Sequence, residues 1–362
     1  MPFSLRNDIV SCSSEFVARA GKTDDKRCSP RSRCFNVSGP FPRYRNNVYH
    51  QAELVFPMLD MVLAAAGSAR CSPSTAYWWP QPALPWSREI LGLVGRVRVC
   101  PPTPQVPHDC QRISVRPMGD YWKRDGSARD VRRAALKACG LPDRNATLWR
   151  IGEPGYTPSV VFMPRAGLNL QSGTKRNFIN GTAAVLALAS SLGISPRSVR
   201  TVPTPSGEMP FCSQVRLWAE ADVVLTPNGA HFVNAPFLPP GALLLEGMPF
   251  GMSRYIGQRR VTAQSGIEHV RLFSARPPIP PGNSGGTGWR AATVREADCE
   301  RLELCARFFR DKTDIVCDPS NLISAVRAAR RRLTAAAGAA SSRSRATTSL
   351  GKRISPANGN AG

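Results

Sequence analysis

A chain of 362 residues with 42% hydrophobic and 20% charged side chains can bury substantial cores and carries too little charge to be disordered throughout. It exceeds the ~250 residues at which single cores stop growing, so two lobes are expected. The net charge of +23 calls for an anionic partner or an unusual surface. The basic segments lack the interleaved aromatics and recognisable modules of nucleic-acid binders, so no nucleic-acid partner is expected.

In chain order, residues 1–45 are polar, contain Cys12, Cys28 and Cys34, and read as an irregular segment. The first lobe spans 46–150. It holds a helix over 54–66 with Pro57 in its first turn, a strand within 91–100, and an Arg-rich amphipathic helix over 127–139. Proline-rich loops over 71–85 and 101–108 separate them, and the polar, turn-rich stretch 142–158 reads as a hinge. From there the pattern becomes regular. Strands at 159–163, 198–203, 222–225 and 242–246 alternate with helices at 181–193 and 211–220. This alternation predicts a Rossmann-like α/β lobe over 151–333, built on parallel strands with crossover helices. The last 40 residues hold eight basic side chains and no acid. From 334 to 362 the composition of Ala, Gly, Ser and Arg predicts a disordered basic tail.

Eleven cysteines form no CxxC pair and four histidines are scattered, so no metal site is expected. The cysteines fit either several disulfides with a spare thiol or buried reduced thiols, and sequons stand at Asn36, Asn145 and Asn180. The apolar stretch from Met58 to Gly67 falls short of the ~20 residues that cross a bilayer, and no signal peptide is visible, so membrane anchoring is not expected from this chain. GLNLQSGTK at 167–175 fails the spacing of a phosphate-binding P-loop, and the Gly-rich run 282–288 has no strand leading into it. The chain has no Asp-x-Asp, which argues against a metal-bridged diphosphate.

The most informative stretch is 221–249, ADVVLTPNGAHFVNAPFLPPGALLLEGMP. Two apolar runs, Asp222–Leu225 and Gly241–Glu246, read as buried strands. Between them Gly229 and Ala230 leave room for an anion at the amides that open a short helix from His231 to Phe237.

Gln214-Val215, Ala221-Asp222, Gly229-Ala230, Asn234, Phe237 through Gly241 and Glu246 together resemble the signature region of glycosyltransferase family 61. That family includes protein O-GlcNAc transferases of the secretory pathway and plant xylan-decorating transferases. Asn228 stands where the family has His, and His231-Phe232 replaces Gly-Leu. Upstream, Arg165 and the run Lys175 to Asn180 are similar to the family's strand-ending Arg and its Arg-Asn-Ile-Leu-Asn element. Asn47-Val-Tyr-His50 echoes an Asn-x-Tyr-His opening, with Leu54 where the family has an acid and Glu53 just before it.

The resemblance implies a GT-B-like architecture of two Rossmann-like lobes facing a cleft, and a lumen of the Golgi or endoplasmic reticulum. It implies transfer from a nucleotide sugar, a uridine diphosphate sugar above all, to a glycan or protein hydroxyl, with no cofactor beyond that donor. On this reading Arg165 and Arg176 offset the charge on the departing diphosphate, and the Gly229 and Ala230 amides hold it. Asn180, Asn228, His231 and Asn234 complete the donor side, with Glu246 accepting from ribose hydroxyls. An inverting reaction needs a base for the acceptor. Glu53 is the candidate, with His50 beside it and Asp60 as the fallback. Two alternatives remain: an inactive nucleotide-sugar-binding homologue, which the absent family His favours, and a basic nucleic-acid-associated protein.

Overall fold

The computed structural model describes residues 33–38, 51–53, 55–60, 75–78, 85–93, 97–100, 111–114, 122, 124–165, 176–205, 209–255, 257–278 and 293–351. His50 and the P-loop-like run 167–175 lie outside the described residues, as does the Gly-rich run 282–288. The chain divides into two compact units: Met1–Pro142 with Pro205–Arg216 and Ala230–Phe237, and Asp143–Thr204 with Leu217–Gly229 and Leu238–Gly362. Two later pieces of chain thus return to the first unit, a division invisible to any single cut of the sequence.

The first unit carries a parallel four-stranded sheet of β1 (Arg33–Ser38), β2 (Thr75–Trp78), β3 (Val97–Cys100) and β4 (Gln111–Ser114), in the order β3-β2-β1-β4. That is the strand order of a Rossmann half. β1 falls in the segment expected to be irregular, and it pairs with β2 on one side and β4 on the other. Its six residues, RCFNVS, are too short and too mixed to show a period against a polar background. The unit's aromatic core is a chain of ring contacts. Phe56 meets Trp86 and Trp122, Trp86 meets Phe211, and Phe211 meets Phe237, with centroids 4.8–6.2 Å apart. The helix Ser127–Ala138 buries Ala128, Val131, Ala135 and Leu136 and exposes Arg129, Arg133 and Lys137, as its amphipathic spacing dictates.

The second unit is built on a parallel five-stranded sheet of β5 (Val160–Phe162), β6 (Val199–Thr201), β7 (Val223–Pro227), β8 (Leu243–Met248) and β9 (Glu268–Phe273), ordered β6-β5-β7-β8-β9. β7 and β8 are buried at every position, which is why their sequence is a continuous apolar run rather than an alternation. β9 was not foreseen, because an edge strand reading EHVRLF and half-covered along most of its length carries no apolar signature. The α/β reading of the chain holds, with parallel sheets in both units.

Connections from β5 run first to β6 on one side and then back to β7 on the other. The switch point of this doubly wound order therefore lies between the carboxyl ends of β5 and β7, where open α/β sheets bind ligands. Asp222 fixes those two strands at their opposite ends, accepting from Ser159 N at 2.8 Å and pairing with Arg144 at 2.6 Å.

The helix Gly181–Leu192 packs against the helix Pro319–Gly351, whose Arg330 donates to the carbonyls of Ser191 and Ile151. This terminal helix corrects the expectation of disorder from residue 334: it continues to Gly351. Alanine is the strongest helix former, so a composition unable to build a core can still extend a helix already anchored by Leu322, Val326 and Ala329, all buried. No helix among the described residues is long and apolar enough to cross a membrane.

Candidate functional site

At the switch point the segment following β5 ends in Arg165, and β7 runs into Asn228 and Gly229. Arg165 Nη1 donates to the Asn228 carbonyl at 3.4 Å. Arg176 Nη1 donates to the same carbonyl at 3.4 Å and to Asn228 Oδ1 at 3.2 Å. Two guanidiniums therefore converge on one residue. Arg176 holds a left-handed backbone at φ 82°, a conformation costly for a side chain with a Cβ and typical of functional positions. Its backbone N–H is tied to Thr313 O at 3.0 Å.

The electrostatics of the pair are unfavourable. Burial, then the neighbouring charge of Arg165, pushes the Arg176 guanidinium down to about 9, against the opposing pull of Asp311. Burial lowers Arg165 as well. Asp311 stands 3.9 Å from Arg176 but bonds Arg310 at 2.7 Å. Burial raises its carboxyl, and the hydrogen bonds and charge of Arg310, with the charge of Arg176, outweigh that and hold it below the ordinary range. Arg176 Nε is buried with no hydrogen-bond partner among the described residues.

Behind Asn228 lies a buried relay. Asn228 Nδ2 donates to Glu246 Oε1 at 2.7 Å, Glu246 Oε2 meets His269 Nε2 at 2.9 Å, and His269 Nδ1 meets Thr262 Oγ1 at 2.9 Å. Glu246 is only 1% exposed, so it does not end a strand in solvent. His269 and Thr262 belong to this relay and were not singled out from sequence. His269 sits on the unforeseen β9, opposite Leu244 in register, and without that strand it is one scattered histidine.

Other candidate residues take different positions. Asn180 spends its amide on the main chain of Cys317, donating from Nδ2 to the carbonyl and accepting from the N–H at Oδ1. It clamps two segments together. Gly229 is buried and Ala230 half-buried. Asn228 N is itself occupied by Gly247 O at 2.8 Å. The helix that follows, Ala230–Phe237, is a 3-10 helix buried from His231 onward.

Within the first unit, His231 stacks beside Phe232 at 5.2 Å. Asn234 is fully buried, donating to Gln214 Oε1 at 2.7 Å and accepting from Trp86 Nε1 at 3.0 Å. It brackets the Trp86 indole and the Gln214 amide inside the first unit. Asn234→Ala should cost roughly 2–4 kcal/mol, because it removes the acceptor of the Trp86 indole N–H and the bond donated to Gln214 Oε1; urea unfolding followed by tryptophan fluorescence measures it. Glu53 is buried at 8% exposure in a helical stretch that runs over 51–53 and 55–60. Asp60, buried in the same stretch, is held by Arg124 Nε at 2.8 Å and Nη2 at 2.5 Å, a structural ion pair rather than a free base.

Comparison with known proteins bears on this geometry. A protein O-linked-mannose beta-1,4-N-acetylglucosaminyltransferase 2 from Tetraodon nigroviridis is 30% identical over 95 residues, covering 26% of this chain and 16% of that protein's length. The chain thus matches only a small part of this relative. The description Glycosyltransferase 61 matches residues 35–245, more than half of the 362, and the match takes in both parallel sheets up to β8, including the paired arginines and Asn228. The chain therefore belongs to glycosyltransferase family 61.

Proposed function

We propose that the protein transfers a sugar from a nucleotide diphosphate sugar, a uridine diphosphate sugar first among them, to a hydroxyl of a glycan or protein. The supporting observation is the arginine pair. Arg165 and Arg176 are desolvated beside each other at the ligand-binding end of a doubly wound sheet, an arrangement that a diphosphate would relieve. Gly229 would add its main-chain N–H at the edge of the same anion site.

In the reaction the acceptor oxygen forms a bond to the anomeric carbon while the bond from that carbon to the diphosphate oxygen breaks. The electron pair leaves with the diphosphate, whose growing charge the two guanidiniums offset. The acceptor's proton passes to a base, and we assign that role to Glu53. Attack from the face opposite the leaving group inverts the anomeric centre. The disulfides Cys139–Cys212 and Cys299–Cys305 support an oxidising compartment such as the secretory lumen.

Calorimetry with uridine diphosphate in the presence of a chelator tests the donor assignment, and release of free diphosphate with a panel of sugars and acceptors tests turnover. Glu53→Gln should abolish transfer and leave uridine diphosphate affinity within about twofold. Unchanged turnover in that variant would remove Glu53 from the mechanism. Binding without turnover in the native protein would favour the inactive homologue, which the replacement of the family His by Asn228 already suggests.

A further inference from the structure

Glu246 was expected to contact the ribose, but its contacts give it other work. A carboxylate can only accept hydrogen bonds, so the atom of Asn228 that faces it at 2.7 Å is the amide nitrogen. The amide oxygen is therefore turned toward Arg176 Nη1, 3.2 Å away. Had the amide been reversed, its N–H groups would point at a guanidinium and its oxygen at a carboxylate, repelling on both sides.

The relay behind Glu246 holds this orientation in either state of the imidazole. Thr262 Oγ1 lies 2.9 Å from His269 Nδ1 and 3.2 Å from the Arg259 carbonyl. If the hydroxyl donates to Nδ1, the neutral ring carries its proton on Nε2, facing Glu246. If the hydroxyl donates to Arg259, both ring nitrogens are protonated, and Nε2 still faces Glu246. The register places Thr226, Glu246 and Arg271 as neighbours across β7, β8 and β9. The other charges bearing on this face are those of Arg259 and Arg271, the latter lowered first by burial and then by Arg259.

We propose that Glu246 is a positioning residue that, through Asn228, gathers Arg165 and Arg176 into one anion-binding fork, and that it makes no contact with the nucleoside. This rests on the donor reading given above. Two like charges drawn together need acceptors between them, and Asn228 supplies its carbonyl to both and its amide oxygen to Arg176. Glu246 decides which amide atom Arg176 meets beside the carbonyl that it shares with Arg165.

The test separates the phosphate end of the donor from the nucleoside end. Glu246→Leu and Asn228→Leu are each expected to weaken uridine diphosphate and inorganic pyrophosphate about tenfold, the scale of one charge-assisted hydrogen bond. Uridine affinity should stay unchanged, and the double variant should be no worse than the weaker single one. Glu246→Gln restores the link: Gln can accept from Asn228 and donate to a His269 protonated at Nδ1, keeping pyrophosphate within about twofold of native. Should Glu246→Leu fail to fold, the pair Glu246→Leu with His269→Phe leaves no orphaned imidazole and carries the same comparison. An equal loss for uridine, unchanged pyrophosphate affinity, or additive losses in the double variant would each overturn the proposal. Native protein that binds neither uridine diphosphate nor pyrophosphate would instead overturn the donor reading itself.

Discussion

Arg176→Met is expected to make the ligand-free protein more stable and nearly blind to the donor. At the native residue the backbone is left-handed, the guanidinium is buried beside Arg165, and the nearby acid Asp311 is bonded to Arg310. Burial and the like charge hold the folded-state value near 9, well below its ordinary one. For a base lowered on folding, the penalty is fully present below the folded value and fades only as pH rises past it. At neutral pH the charge therefore opposes folding. Methionine keeps most of the volume and the strained φ, so the change isolates the charge. Replacing a poorly compensated buried ion with an apolar side chain typically stabilises by roughly 1–4 kcal/mol. The same substitution removes the fork that meets the diphosphate and should weaken uridine diphosphate at least about 100-fold. Arg176→Lys retains a charge without the planar fork, and should fall between the two in affinity while keeping the stability cost. Chemical unfolding and calorimetry on the three proteins read both quantities. A destabilised Arg176→Met with native affinity would make Arg176 a structural residue.

The sequence was informative where chemistry and burial share one short segment, and uninformative where partners come from elsewhere. Asp222 to Glu246 could be read because both strands are buried on two faces and the turn between them needs small residues. Arg165 and Arg176 were found through resemblance, since an Arg after a strand has no pattern of its own; only the fold reveals that both reach Asn228. Asn180 and Asn234 lie inside matching motifs and still serve the core, because a motif records which residue recurs and not what it touches. Glu246 shows the same limit from the other side. Its partner, His269, could not be guessed without β9. The first unit was hardest to read because its strands are short and because Pro205–Arg216 and Ala230–Phe237 join it from distant sequence.

That return of distant chain makes the Cys139–Cys212 disulfide the second large effect. Cys139 caps the helix Ser127–Ala138, and Cys212 lies one residue into the helix Phe211–Ala219. The bridge closes a loop with a sequence separation of 73, and in the chain-entropy description such a loop restrains the unfolded ensemble by about 4 kcal/mol. Cys299–Cys305 has a separation of 6 and by the same reasoning contributes about 2 kcal/mol. Replacing each pair by Ser should therefore lower the unfolding free energy unequally, with the Cys139–Cys212 variant losing about twice as much. The consequence is also local. Two residues beyond Cys212, Gln214 accepts from Asn234, and Asn234 in turn accepts from Trp86, so the bridge tethers one end of the bracket that holds the Ala230–Phe237 helix in the first unit. Loss of the long-loop disulfide should consequently alter tryptophan emission at urea concentrations too low to unfold the rest, whereas loss of the short one should not. Equal losses for the two variants would mean that the entropy of the closed loop is not what the bridges contribute.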